Sequence, residues 1–176
     1  GMNDYVYGAG IALEEIAKRF VSAPAEKRGK DKNFARRVNL LGVTPLDFGP
    51  QENVDILKEN LNKYGWNVLS TWAMGDDFET LQTSGNADVN LVVSAVGLRV
   101  AKVLWETYSI PYVIGNPNEW MAEDISKALE AAATGKSEPE VTYLQNRMEE
   151  EAEITLIGEP VTMGSLAAGI EKAYGR

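Results

Sequence analysis

The stretch NLVVSAVGL, Asn90 to Leu98, runs apolar and stops abruptly at Ser94, then passes through small residues into a helical pattern. A serine at such a turn has two uses. Its hydroxyl can meet a ligand, because Ala95 and Gly97 let a bulky group approach the backbone. Or it can cap the helix that follows, which serine does well. Spacing alone leaves both open. The chain has no cysteine and no histidine, and that narrows the chemistry sharply. Thiolate nucleophiles, disulfides and cysteine-held iron–sulfur clusters are excluded within it. The most common general base and the usual metal ligand are missing too. Any metal must rely on carboxylates, hydroxyls or carbonyls, or on ligands from elsewhere. As an isolated catalyst the chain is poorly equipped.

Other motifs offer chemistry and then fail on context. GAGIAL, Gly8 to Leu13, starts like a dinucleotide fingerprint, but Leu13 stands where the third glycine belongs and only YVY precedes it. TGKS, Thr134 to Ser137, resembles the end of a phosphate loop. Yet Glu130 replaces the earlier glycine and a helix, not a strand, leads into it. Gly135 reads better as a helix terminator. The acids of EEEAE, Glu149 to Glu153, point around a helix rather than converging on a metal. Trp66, Trp105 and Trp120 read as core fillers, whereas Trp72 lies at a strand end and is a candidate for more.

The elements that must position these residues alternate. VNLLGV, WNVLSTWA, DVNLVVS, IPYVIG and ITLIGEPV read as strands. Helical spacing falls on GIALEEIAKRFV and on residues 53–64, 98–108, 118–133, 139–153 and 163–174, with Gly65 and Gly175 at cap positions. DDFETLQTS reads as a short helix with Asp76 near its start. SAPAEKRGKDKNFARR and TPLDFGPQE read as loops. Short apolar strands alternating with helices imply a parallel sheet covered on both faces, a three-layer α/β/α, Rossmann-like architecture. In such sheets ligands collect beyond the carboxyl ends of the strands. That rule nominates Thr44–Phe48, Trp72–Asp76, Ser94–Gly97 and Gly115–Asn118.

Composition bounds the rest. The 176 residues, 44% hydrophobic, suit one domain with a real core. A formal charge of −9 weighs against nucleic acid, whose phosphates need a basic face. No apolar run reaches the roughly 18 residues of a membrane span, and no signal segment opens the chain. The default location is the cytoplasm, with neither nucleic acid nor membrane as a partner. Gly1 before Met2 reads as a scar of tag removal, and KAYGR stops just after a helix, so an excised piece of a longer protein is expected. VNLLGVTPLDF with its helix ending KYG is echoed by ITLIGEPVTM with its helix ending AYG. The expected division is a domain over 1–153. Residues 154–176 then either start a following, truncated α/β unit or add a strand and helix to the same domain.

Three segments in order, VNLLGVTPLDF, WNVLSTWAMGDD and NADVNLVVSAVGLRVAKVLWETYSIPYVIGNP, resemble the nitrogenase component 1 family, in pattern most similar to its molybdenum–iron protein alpha subunit. The opening GAGIALEEIAKRF and the closing LIGEPVTMGSLAAGIEKAYG resemble the segments flanking that domain. The resemblance implies the middle Rossmann-like domain of three in each subunit. It also implies that Ser94 stands where the alpha subunit has the cysteine binding one end of its iron–molybdenum cofactor. A neutral hydroxyl is a far poorer iron ligand than a thiolate, so dinitrogen reduction with that cofactor is in doubt. The cysteines holding the family's other cluster lie in a different domain.

What the resemblance implies is therefore a nitrogenase-like oxidoreductase. Such proteins pair with a second component 1-type subunit, take electrons from an ATP-dependent iron–sulfur reductase and reduce an unsaturated substrate, in some branches a tetrapyrrole. On that expectation Ser94, Gly97, Trp72 and Thr44 line a cofactor or substrate pocket. The fragment carries no cofactor and is inactive alone, while the full protein holds an iron–sulfur or related metallocluster. Two alternatives remain: a scaffold on which a cluster is assembled before transfer, and a non-catalytic module that binds a metal chelate.

Overall fold

Four of the five expected strands form, each shorter than its apolar run. The computed structural model describes residues 4–25, 36–135 and 154–175. Strands β1 (Arg37–Leu41), β2 (Asn67–Ser70), β3 (Val89–Val92) and β4 (Tyr112–Ile114) pair entirely in parallel in the order β2-β1-β3-β4. Between them run α2 (Pro45–Phe48), α3 (Gln51–Asn62), α4 (Phe78–Gln82) and α5 (Leu98–Tyr108). The helix α1 (Tyr5–Phe20) precedes the sheet, and α6 (Ala122–Ala133) and α7 (Pro160–Tyr174) follow it. The three-layer α/β architecture follows directly from strands too apolar to leave either face wet.

Period-2 alternation divides each strand between two cores. Val38 and Leu40, Val89 and Leu91, and Val113 face α3 and α6, packing on Val54, Leu57, Leu61, Ile125 and Leu129. Leu41 and Val92 face α1 and α5, packing on Ala17, Val100, Ala101 and Leu104. The second face also carries a buried polar network that the apolar look of the strands conceals. Asn39 and Asn90 are register partners on β1 and β3. Asn39 Nδ2 donates to Asn90 Oδ1 at 2.8 Å and to the Ser84 carbonyl at 2.9 Å, while Ser70 Oγ donates to Asn39 Oδ1 at 2.9 Å. The bonds among Asn39, Ser70, Ser84 and Asn90 Oδ1 offset much of the cost of burying them, while Asn90 Nδ2 is left without a hydrogen-bond partner among the described residues.

Several boundaries move for identifiable reasons. TPLDFGPQE is not wholly a loop, because Pro45 at the first turn of α2 supplies the fixed φ a helix start needs. The helix expected over 118–133 begins only at Ala122, since Asn118 Oδ1 first accepts from the Trp120 and Met121 amides in a turn. ITLIGEPV does not form a strand. Ile154 and Ile157 are 61% and 90% exposed, and the segment bends into α7 at Glu159-Pro160. Gly65 and Gly175 take the left-handed conformations expected of caps, with φ of 80° and 69°. The helix expected at 139–153, the acidic run within it and most of the basic loop after α1 lie outside the described residues.

Candidate functional site

Strand order reverses between β1 and β3: the chain steps from β1 to β2 on one side, then crosses back to place β3 on the other. Ligands of open parallel sheets bind at the carboxyl end of such a reversal. Here that point is formed by Leu41-Gly42 leaving β1 and by Ser94, with the single 3₁₀ turn Ala95–Gly97, leaving β3.

The two turns are pressed together. Gly42 has φ of 92°, and a methyl group on it would lie 2.6 Å from Ser94 Oγ and 2.7 Å from the Gly97 nitrogen. A side chain on Gly97 would run into the backbone of Leu41 and Gly42. Two glycines therefore let the ends of β1 and β3 touch. Ser94 occupies the N-cap position of the 3₁₀ turn but makes no side-chain cap. Its fully buried hydroxyl instead donates to the Gly42 carbonyl at 2.6 Å. The ordinary capping reading of Ser94 is thus overturned: the cross-strand carbonyl, which would otherwise be buried without a donor, claims the proton.

The other nominated residues fall nearby but with different commitments. Thr44 is two residues beyond Gly42, and its hydroxyl donates to Asp47 Oδ2 at 2.9 Å. Trp72 follows β2 at φ of 31°, and its fully buried ring joins the core between the sheet and α1 and α5, with Nε1 donating to Ser84 Oγ at 2.9 Å. Ala73 continues the unusual backbone at φ of 90°. Asp76 holds this turn: its carboxylate accepts from the Thr71 amide at 2.6 Å and the Trp72 amide at 3.1 Å, and the Thr71 hydroxyl lies against both Asp76 Oδ1 and the Met74 carbonyl. Asp76 was expected near the start of the short helix; Asp77 caps α4 instead, accepting from the Thr80 amide at 2.8 Å. Ser94 and Gly97 are therefore brought together with Gly42, Thr44 flanks them, and Trp72 turns inward.

Sequence reasoning missed the residues that cover the rim. Glu159 Oε1 accepts from the Ala95 amide at 2.8 Å, while Oε2 accepts from the Thr162 amide and caps α7. Ser165 Oγ accepts from the Asn116 amide, just past β4, at 2.8 Å. The local signal was a Glu-Pro pair opening a helix, which marks a cap but not its distant partner.

The sequence resemblance would put a cluster ligand at position 94. The residues present do not fit that role. The hydroxyl is neutral, buried and already donating to a carbonyl, and among the described residues no three His, Cys, Asp or Glu side chains gather to hold a metal ion. No described helix is long and apolar enough to cross a membrane.

No individual curated protein matches the chain. The sequence model of one family, Nitrogenase component 1 type Oxidoreductase, matches residues 2–140. That span takes in the whole four-stranded sheet, both glycine-bearing turns and every site residue nominated from the sequence. The chain belongs to the nitrogenase component 1 type oxidoreductase family.

Proposed function

We propose that this chain is the middle domain of a nitrogenase-like oxidoreductase subunit, forming one wall of a substrate or cofactor pocket at the β1–β3 reversal. Membership of the component 1 family is the observation that carries this reading. Ser94, Gly97, Thr44 and Trp72 contribute to that wall: the first three through the β1 and β3 turns, and Trp72 by fixing the turn after β2. Ser94 acts through the Gly42 carbonyl rather than as a metal ligand, which favours a relative that does not use the standard iron–molybdenum cofactor. The metallocluster the family implies is held by ligands outside these residues. The working unit pairs this subunit with a second component 1-type subunit and draws electrons from an ATP-dependent iron–sulfur reductase. A cytoplasmic location accords with that partnership.

We place residues 154–176 with the same domain as an added helix. The bonds from Ala95 to Glu159 and from Asn116 to Ser165 support this.

The test is to purify the full-length subunit with its pair in the absence of oxygen and measure iron, sulfide and ATP-dependent electron uptake. Bound iron and sulfide with ATP-linked reduction is the expected result. A metal-free assembly would overturn the reading.

A further inference from the structure

The rim of the sheet is closed by one polar face of α7. Glu159, Thr162, Ser165, Gly169 and Lys172 recur at intervals of three and four residues, so they share one side of the helix. That side meets the turns after β3 and β4 in sequence. Glu159 takes the Ala95 amide, Thr162 Oγ1 accepts from Asn116 Nδ2 at 3.3 Å, and Ser165 takes the Asn116 amide. Gly169 lies against Trp120, and Lys172 pairs with Asp124 at 2.7 Å. Ala95 and Asn116 lie just past neighbouring parallel strands, where free amides ordinarily serve a ligand. Both are occupied by acceptor oxygens of this chain.

The fully buried part of α7 is small: Val161, Ser165 and Gly169, with Ala168 packed half-buried against the core. Its hydrogen bonds to the rim are all made by polar side chains at Glu159, Thr162 and Ser165. The segment ahead of it adds no strand pairing and leaves Ile154 and Ile157 exposed. By contrast, nearby amides just before its anchors belong to the sheet. Val93 donates to the Leu41 carbonyl and Gly115 to the Val92 carbonyl, each at 3.0 Å.

We propose that α7 is a strap that lifts as a unit, with Glu159 and Ser165 standing in for the acceptor oxygens of a ligand at the β3 and β4 turns. The gating role rests on the pocket proposed above; the lifting motion does not, and it can be tested on this chain alone.

Amide hydrogen exchange of the 176-residue chain, followed residue by residue by NMR, is the experiment. Corrected for intrinsic rates, Ala95 and Asn116 should exchange at matched rates, on the order of 100-fold faster than Val93 and Gly115. In Glu159→Ala the Asn116 amide should accelerate as well, though its own partner Ser165 is untouched, with Val93 and Gly115 protected as before. Equal protection of all four amides would overturn the strap, since α7 would then open only with the whole domain. So would an Asn116 rate that ignores the loss of Glu159. Neither outcome depends on whether the full-length assembly carries metal, so the strap and the oxidoreductase reading fail separately.

Discussion

Gly42 and Gly97, on turns leaving different strands, are so close that a methyl group on the first would lie 2.7 Å from the backbone nitrogen of the second. Neither glycine can be exchanged cheaply, but for different reasons. Gly42 also sits at φ of 92°, where a side chain is strained whatever the space around it. Gly97 has an ordinary backbone, so its constraint is purely the Leu41 and Gly42 main chain. Gly42→Ala and Gly97→Ala should each lower stability by roughly 2–4 kcal/mol. Urea denaturation measures this. A loss below about 1 kcal/mol for either would mean the turns separate easily.

Ser94 supplies the donor that this close approach requires. Ser94→Ala leaves the Gly42 carbonyl without its partner and should cost about 1–2 kcal/mol in the same measurement. Ser94→Cys should cost at least as much as the alanine change. A thiol is a weak donor, and sulfur is too large for a 2.6 Å approach to the carbonyl oxygen. If the cysteine variant matched the parent in stability, the turn would have room for a metal-binding thiolate after all.

Strain after β2 gives a prediction of opposite sign. Ala73 is exposed at φ of 90°, so its methyl group has little packing to lose. A left-handed conformation costs an alanine about 1–2 kcal/mol, whereas glycine's extra freedom in the unfolded chain costs about 0.5–1 kcal/mol. Ala73→Gly should therefore stabilise the protein by roughly 0.5–1 kcal/mol, read as a raised denaturation midpoint. Destabilisation would show that the alanine methyl is used.

These three sites mark how far the sequence could be read. Sheet and helices were legible because burial on both faces demands largely apolar runs such as Leu91 to Val93, and helical spacing is equally local. Ser94 was read as ending its strand and does lie just past β3, but its purpose was not legible, because its partner Gly42 lies 52 residues away. The same holds for Asn39 and Asn90: inside apolar runs they look like imperfections, and only pairing across β1 and β3 makes them acceptable. The strand expected at ITLIGEPV failed for the converse reason. Its pattern is adequate, but a strand also needs a neighbour, which no local pattern supplies.

Where α1 packs on α5, the two helices are clamped by Glu14. Its carboxylate accepts from Lys18 at 2.6 Å and from Arg99 at 2.9 Å, which holds its pKa below the usual 4.5, the Lys18 hydrogen bond contributing most. An acid with a lowered folded pKa contributes stability that is present above its unfolded value and lost as pH falls through the folded one. The clamp should therefore loosen only below about pH 4.5. In an NMR titration of the Glu14 carboxyl, Lys18→Met should raise the midpoint more than Arg99→Met. The reverse order would make the link to α5 the stronger of the two.

The seat of α7 on the turn after β4 depends on a missing side chain at Gly169, where a methyl group would lie 3.0 Å from both Cβ and Cε3 of Trp120. Glycine inside a helix ordinarily lowers stability, so a larger residue would favour α7 as an isolated helix. Against Trp120 the sign reverses. The Cβ sits next to the backbone and cannot swing aside as the end of a flexible side chain would. Gly169→Leu should leave α7 helical by circular dichroism while forcing it off the rim, so that Trp120 becomes more exposed and its fluorescence shifts to the red. The cost to global stability should be small, about 1 kcal/mol or less, because the four strands pair without α7 and the two cores draw only the partly buried Ala168 from it. A fall of several kcal/mol in the variant would mean that the helix is an integral part of the fold rather than a covering laid over it.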